Sequence, residues 1–356
     1  MQAPLYKTVQ APLAKYSNAH AGLWFERFFN GYDSEWTVAA DAKQTWIKSV
    51  TGKQGDIEKL AAFASRQQAL VSVLQGESRF YKTDWHCVTG MGNPHPVENG
   101  FSWHPTLAVP YLAGSAVKGL VRAWVEMNED GLSDEEKRNR LKDWFGTEDK
   151  KDVAEQAGNF IFFDAIPSEP PLLICDIMTP HMGKWYEQGD TGSLNSDAIP
   201  ADWHEPVPVP FLAVKKAQFI FSIAARNPQN QAHIDELSKV FEALDNALTW
   251  LGAGAKTAAG YGQMSSKEAI KQQHVKAVQD WLTEAIQSLK NDKDLRGQPE
   301  ENLWKKALSE KWLFAPPELK PTILELIKTK WKELKISWEK PVGKSAEEAK
   351  RNFVKK

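Results

Sequence analysis

The spacing of apolar residues along the chain changes period several times, and each change marks a predicted element. Residues 17–50 interleave aromatic and polar positions (GLWFERFFNGYDSEW) and read as a packed N-terminal arm. Between 55 and 75, Ile57, Leu60, Ala61, Leu70, Val73 and Leu74 recur at helical spacing, with Asp56 at the start and Gly76 at the stop. A strand-like run from Phe80 to Met91 follows, then a Gly/Pro/Asn-rich loop to Pro110. Val117, Leu120, Val121 and Trp124 fall at i, i+3, i+4 and i+7, one buried stripe of a helix that Ser115 is expected to cap. NFIFFDAIP and PLLICDIMTP read as two strands of one hairpin. Residues 183–206 are a Gly, Asp, Ser and Pro-rich excursion too long for an ordinary turn. A strand from Ala217 to Ala225, a helix from about His233 to Leu251, a glycine-rich loop and a short last strand complete this part.

That order is the βαββαβ order of a ferredoxin-like sheet with insertions, an α+β class. The expected organisation is an N-terminal arm and helix over 1–79, a ferredoxin-like core over 80–266 carrying the 183–206 insertion, and a helical extension over 267–356. In the extension, helices are predicted around 267–291, 299–312 and 319–336, carrying Trp281, Trp304, Trp312 and Trp331. The last dozen residues, rich in Lys and Ala, are expected to fray.

Charge sharpens this division. The chain of 356 residues has a formal net charge of −2, unlike the basic balance common in nucleic-acid binders. From residue 266 onward it holds 20 Lys/Arg against 14 Asp/Glu, so the part before it is acidic. Any polyanion must then be held by local clusters. Fifteen tryptophans favour a subunit with protein interfaces over a lone enzyme. No apolar run reaches the roughly 18 residues of a membrane span, and the N-terminus lacks a secretory apolar segment. Cys87 and Cys175 stand far apart, which suits a reducing cytosol and a cytoplasmic protein without disulfides.

Two segments carry candidate chemistry. In Pro110–Arg122, Gly114 and Ser115 open a helix whose free first-turn amides and dipole favour an anion such as phosphate. Lys118 and Arg122, four apart, share one face away from the apolar stripe. The competing reading pairs Arg122 with Glu126 on a solvated face. The second segment, Gly252–Gly262, sets Lys256 and Thr257 among Gly252, Gly254, Gly260 and small residues, which suits close approach to a polyphosphate or nucleic-acid backbone. A purely structural glycine loop fits equally. It is no P-loop, because Ala255 precedes the lysine and the segment follows a helix. Nor is it a dinucleotide fingerprint, since it runs from helix to strand.

Together these segments resemble the RAMP superfamily of CRISPR proteins. Ala113–Arg122 is similar to its PGSSLKGxxR signature and Gly252–Gly262 to its GxGAKTxxGYG loop. Within it, GMGNP at 90–94, AGLWFERFF, CDIMTPHMGKWY and PADWHEPVPVPFLAV are most similar to the sixth, capping subunit of type III-B (Cmr) effector complexes. The resemblance covers about residues 20–265. It implies an RRM-like RAMP fold and a non-catalytic, RNA-binding subunit that holds the 3′ part of the CRISPR RNA and caps the backbone filament in antiviral defence. It implies CRISPR RNA and target RNA as partners, with the backbone RAMP subunit, the small helical subunit and the other cap RAMP subunit. Target RNA would be cleaved by other subunits, and no cofactor or membrane is implied.

Carried over as RNA-binding positions are Gly114, Ser115, Lys118, Arg122, Gly252, Gly254, Lys256, Thr257, Gly260 and Tyr261, whose two stretches are expected to converge on one strand of RNA. Ala113 and Ala116 depart from the motif's proline and second serine, which shifts weight to Lys118 and Arg122. Related backbone subunits insert a thumb between guide and target bases. Trp185, Tyr186 and Trp203 in the excursion are the candidate equivalents, or else they bury against a neighbouring subunit.

The alternative is a CRISPR RNA-processing endoribonuclease of the same superfamily, using His104 or Asp84. Asp176 and His181 are expected to order a loop. His86, Cys87, His95 and His104 lie close in sequence but lack the spacing of a zinc site, so no metal is expected. The C-terminal helices fit docking on a partner or a plain packed bundle.

Overall fold

The computed structural model describes residues 15–16, 19–39, 41–128, 133–147, 156–189, 198–201, 204–266, 278–284, 299–312, 315 and 317–354. The chain forms two compact units, 1–266 and 267–356.

The first unit begins with α1 (Ala21–Arg27), α2 (Ala42–Lys48), the short β1 (Gly52–Lys53) and α3 (Ile57–Val73). Asp56 caps α3 by accepting from the amides of Glu58 and Lys59. This helix buries Leu60 and Val71 but leaves Ile57, Leu70 and Val73 exposed, so its apolar spacing overstates its packing. Then come β2 (Glu77–Thr83), α4 (Gly114–Asn128), α5 (Asp134–Phe145), β3 (Gly146–Thr147), β4 (Gln156–Ala157), β5 (Phe160–Phe162) and β6 (Ile166–Pro167). After them lie β7 (Leu172–Met178), α6 (Gly183–Gln188), β8 (Val209–Lys216), β9 (Gln218–Ala225), α7 (Gln231–Trp250) and β10 (Met264–Ser266).

The main sheet runs β10-β2-β9-β5, antiparallel throughout, with β6 also on β9. Counting only βαββαβ members, that order is 4-1-3-2, the ferredoxin-like arrangement, here with insertions. Register is fixed by pairs such as Phe80 with Ile220 and Phe160 with Ala225. β9 is buried along nearly its whole length, as a central strand covered on both faces must be. Phe219, Phe221 and Ile223 of β9 join Val117, Val121, Val125, Val240, Phe241 and Leu244 of the packed pair α4 and α7 in one core. Inside it Asp245 of α7 accepts from the Tyr81 hydroxyl (2.6 Å) and from Arg79 Nη1 (3.0 Å). Burial raises the Asp245 carboxyl above its ordinary value despite those bonds. The network ties α7 to β2, and so sets where the loop after α7 begins.

Three expectations are corrected. The hairpin of NFIFFDAIP with PLLICDIMTP does not form: β5 and β6 pair with β9, whereas β7 pairs with β8 and β1 in a second, three-stranded sheet. Pro170 and Pro171 lack the amides needed to continue a ladder, and the chain leaves the first sheet there. The strand expected over 80–91 is β2, which ends at Thr83; beyond it Cys87 bridges to Val214 of β8, with both backbone hydrogen bonds made. Ser115 is not the cap of α4, which starts at Gly114.

The second unit is helical among its described residues. Residues 278–284 are helical; α8 (Pro299–Lys306) widens into a π-helical stretch at Ala307–Trp312, and α9 (Lys320–Glu333) and α10 (Lys344–Val354) follow. The predicted fraying of the last dozen residues is corrected for 345–354, while Lys355 and Lys356 lie outside the described residues. Ala346, Ala349 and Phe353 put an apolar stripe on α10, and all three are buried with Trp304, Trp312 and Trp331. No helix among the described residues is long and apolar enough to cross a membrane.

Candidate functional site

α4 turns its apolar stripe to the core, so Lys118 and Arg122 emerge on its other face. They line a cavity of about 500 Å³ with Phe145 of α5, Gly146 and Thr147 of β3, Gln156 and Ala157 of β4, Gly158 and Arg226. Among the described residues, no acidic side chain lines it. Arg226 follows the last residue of β9; its Nε donates to Gly158 O (2.8 Å), and its amide to Asn159 O (2.7 Å). Burial, then Arg226 and Arg122, hold the Lys118 ammonium below its ordinary pKa. Three cations facing one space favour an anion there. Arg122 also makes the pair anticipated for it, with Nε donating to Glu126 Oε1 at 2.8 Å, both side chains about half exposed. Such a pair contributes little and yields readily to a phosphate. Arg226 is absent from the sequence-based set; the signal available was an arginine directly after a strand, with no acidic residue among its immediate neighbours in sequence.

The helix amides are less available than the motif suggests. Gly114 is buried, and its N–H donates to Asp164 Oδ1 (2.7 Å), so this expected phosphate contact is corrected: the acceptor is the protein's own carboxylate. Ser115 beside it is exposed.

The 252–262 loop is a folded knot of backbone. Gly252, Gly254, Gly260 and Gly262 all have positive φ. The amide of Gly252 donates to Ala247 O, Ala253 to Gly262 O, Ala255 to Val88 O, Gly260 to Thr257 O and Gly262 to His86 O. At Gly262 (φ +77°) an added Cβ would lie 1.9 Å from Ala253 O, so only glycine fits. Gly252 and Tyr261 are buried and serve the loop's architecture, whereas Gly260 is half-buried with open space where a Cβ would stand. Tyr261 is 6% exposed, and its hydroxyl donates to Asp176 Oδ2 (2.8 Å). Burial first, then Asp176, pushes its pKa up to about 12. Lys256 (φ +59°) and Thr257, half-buried, and Gly254, exposed, remain at the surface. The amides of Lys256 and Thr257 meet no acceptor among the described residues. Lys256 Nζ lies 5.5 Å from the Phe211 ring centroid and 5.8 Å from that of Tyr261.

Thus the two stretches are linked but their cations are not pooled. Ala255 bonds to Val88 O, and the next residue, Thr89, donates its hydroxyl to Tyr111 O just before α4. Lys256, however, does not line the cavity of Lys118, Arg122 and Arg226.

A polar cluster braces the loop from below. Asp176 of β7 accepts from Tyr261, from His86 Nδ1 (3.0 Å) and from the Ile177 amide (2.9 Å). Burial works against its charge, but these bonds outweigh burial and hold the carboxyl below its ordinary value. Trp85 stacks on His86, with ring centroids 4.6 Å apart and planes 13° from parallel. The reading of Asp176 as a loop-ordering residue is in keeping with this geometry.

The other candidates are occupied. His104 is 7% exposed, edge-on to Phe63 and Tyr111, and its Nδ1 accepts from the Thr106 amide (3.3 Å). Burial lowers its pKa. His95 stacks on Phe25, donates from Nε2 to Phe25 O (2.8 Å) and accepts at Nδ1 from Val97. Asp84 accepts from Ser265 Oγ (2.6 Å). Burial pushes the Cys87 thiol up to about 12. Among the described residues no group of three or more His, Cys, Asp or Glu is placed to hold a metal. In the excursion, Trp185 is half-buried and Tyr186 is 69% exposed on α6, while Trp203 lies outside the described residues.

Sequence comparison decides the family. The model of the RAMP superfamily matches residues 81–265, more than half of the chain. The chain belongs to the RAMP superfamily. Among RAMP proteins it is 27% identical to the CRISPR system Cmr subunit Cmr6 of Pyrococcus furiosus, over 52% of this chain and 66% of that protein. It is 28% identical to the CRISPR system CMR subunit Cmr6 of Saccharolobus solfataricus, over 49% of this chain and 51% of that one. The chain thus spans between about half and two thirds of these relatives' lengths. A chain in the cryo-EM structure of the type III-B Cmr-beta complex bound to cognate target RNA aligns with TM-score 0.44 and 22% identity, over 63% of this chain and 71% of that chain.

Proposed function

We propose that this RAMP protein is a non-catalytic, RNA-binding subunit of a type III-B CRISPR ribonucleoprotein, holding the 3′ part of the CRISPR RNA and capping the backbone filament. The observation that carries the reading is the cavity in which Lys118, Arg122 and Arg226 face one space, with no acidic side chain among its described lining residues. Phosphate binding there relieves like-charge repulsion that the fold maintains. Lys256 and the open amides at 256–257 supply a second backbone contact. The named Cmr6 relatives support membership of such a complex. The partners that go with this reading are CRISPR RNA, target RNA, the backbone RAMP subunit, the small helical subunit and the other cap subunit. Tyr186 is the exposed aromatic for a thumb contact with a base.

The test is anisotropy of labelled single-stranded RNA with the full chain across salt concentrations. Affinity is expected to fall steeply with salt and to vary little with sequence, and Lys118→Ala or Lys256→Ala should weaken all sequences alike. Binding that does not change with salt would refute phosphate contact. The endoribonuclease alternative predicts cleavage of labelled repeat RNA by the isolated chain, abolished by His104→Ala. The burial of His104 beneath Phe63 and Tyr111 counts against it.

A further inference from the structure

Resting on that RNA-binding reading, we infer that Trp85 is a stacking platform for one base of the bound single strand. A lone exposed tryptophan means little, but this one is built in. It is 49% exposed. One side rests on the His86 imidazole, and the ring is braced by Tyr261, with centroids 4.8 Å apart. His86 and Tyr261 are in turn both fixed by the Asp176 carboxylate. The backbone on either side is clamped: Asp84 N donates to Gln263 O (3.0 Å) and Cys87 N to Val214 O (2.9 Å). The indole therefore cannot collapse onto the core, and it presents its outer surface at no further ordering cost.

Its surroundings select the ligand. Tyr261 neighbours both Trp85, with ring centroids 4.8 Å apart, and Lys256, whose Nζ is 5.8 Å from the Tyr261 ring. An aromatic plane within a nucleotide's reach of a cation and unpaired amides is the pattern that holds a base and its phosphate together. Stacking tolerates any base, so Trp85 adds affinity without sequence preference. A partner protein covering Trp85 instead would need no bases.

The experiment compares one labelled oligoribonucleotide with an abasic ribose-phosphate oligomer of equal length and charge. Trp85→Ala should lower affinity for the base-bearing oligomer about tenfold and leave the abasic one within about twofold, while Trp85→Phe keeps most of the binding. Equal losses on both oligomers would overturn the inference, because the residue would then serve the phosphate path or the fold. So would unchanged affinity of Trp85→Ala for the base-bearing oligomer. If the unaltered chain binds neither oligomer, the RNA-binding reading itself falls, and this inference falls with it.

Discussion

Helix α4 and the 252–262 loop each set a lysine beside glycines, yet they differ in what they leave free. α4 spends its backbone, giving the Gly114 amide to Asp164, and keeps its charges available. The loop commits most of its amides to hydrogen bonds within itself, with the end of α7 and with His86 and Val88, and it commits the Tyr261 hydroxyl to Asp176. What it leaves outside includes one lysine, held at φ +59°, and the amides of Lys256 and Thr257. A left-handed lysine costs roughly 1–2 kcal/mol, which the surrounding hydrogen bonds must cover. One segment offers charge on a rigid helix; the other offers shape.

The sharpest way to break this contrast is to add one carbon. Gly262→Ala meets a carbonyl at 1.9 Å and should destabilise the fold by about 3 kcal/mol or more, read by equilibrium unfolding. Gly260→Ala, with open space around its Cβ, should cost only about 1–2 kcal/mol. Equal costs would show that the loop is not locked as described.

Next comes the brace. Asp176→Asn leaves Tyr261 and His86 with a poorer common acceptor and should cost about 1–3 kcal/mol. The folded carboxyl sits below its ordinary value. Its stabilisation is therefore complete above the unfolded value of about 3.9 and is lost as pH falls through the folded one. A melting series in acid should show the unaltered chain converging on the variant only below that range.

A smaller effect is expected at the cavity. Arg226→Ala should weaken RNA binding about tenfold for every sequence and reduce the salt slope by about 1, with little change in melting temperature. The smallest is Glu126→Gln, which frees Arg122 from its half-exposed pair and should strengthen RNA binding about twofold. Weaker binding would mean that Glu126 positions the guanidinium.

The alternation of periods made the main sheet and its two helices readable, because each covers one continuous stretch with one buried side. The pairing of β7 was hidden: a strand states its own two faces but not which edge it will join, and two prolines redirected it. The motifs gave Lys118, Arg122 and Lys256 their place at the surface. They were silent on Asp164, which lies 50 residues from the amide it accepts, and on Arg226, brought in by β9. Trp85 stood in plain view, but its stack with His86 depends on an aspartate on the other sheet. The fate of α10 turned on burial by tryptophans that composition counts but does not locate.

The reciprocal bridge between Cys87 and Val214 has a mechanical consequence. It rivets the β7–β8 ribbon, from which the excursion projects, to the chain that carries Trp85 and His86. A torque applied at the far end of that ribbon reaches the neighbouring residues through stiff ladders, with no slack linker to absorb it.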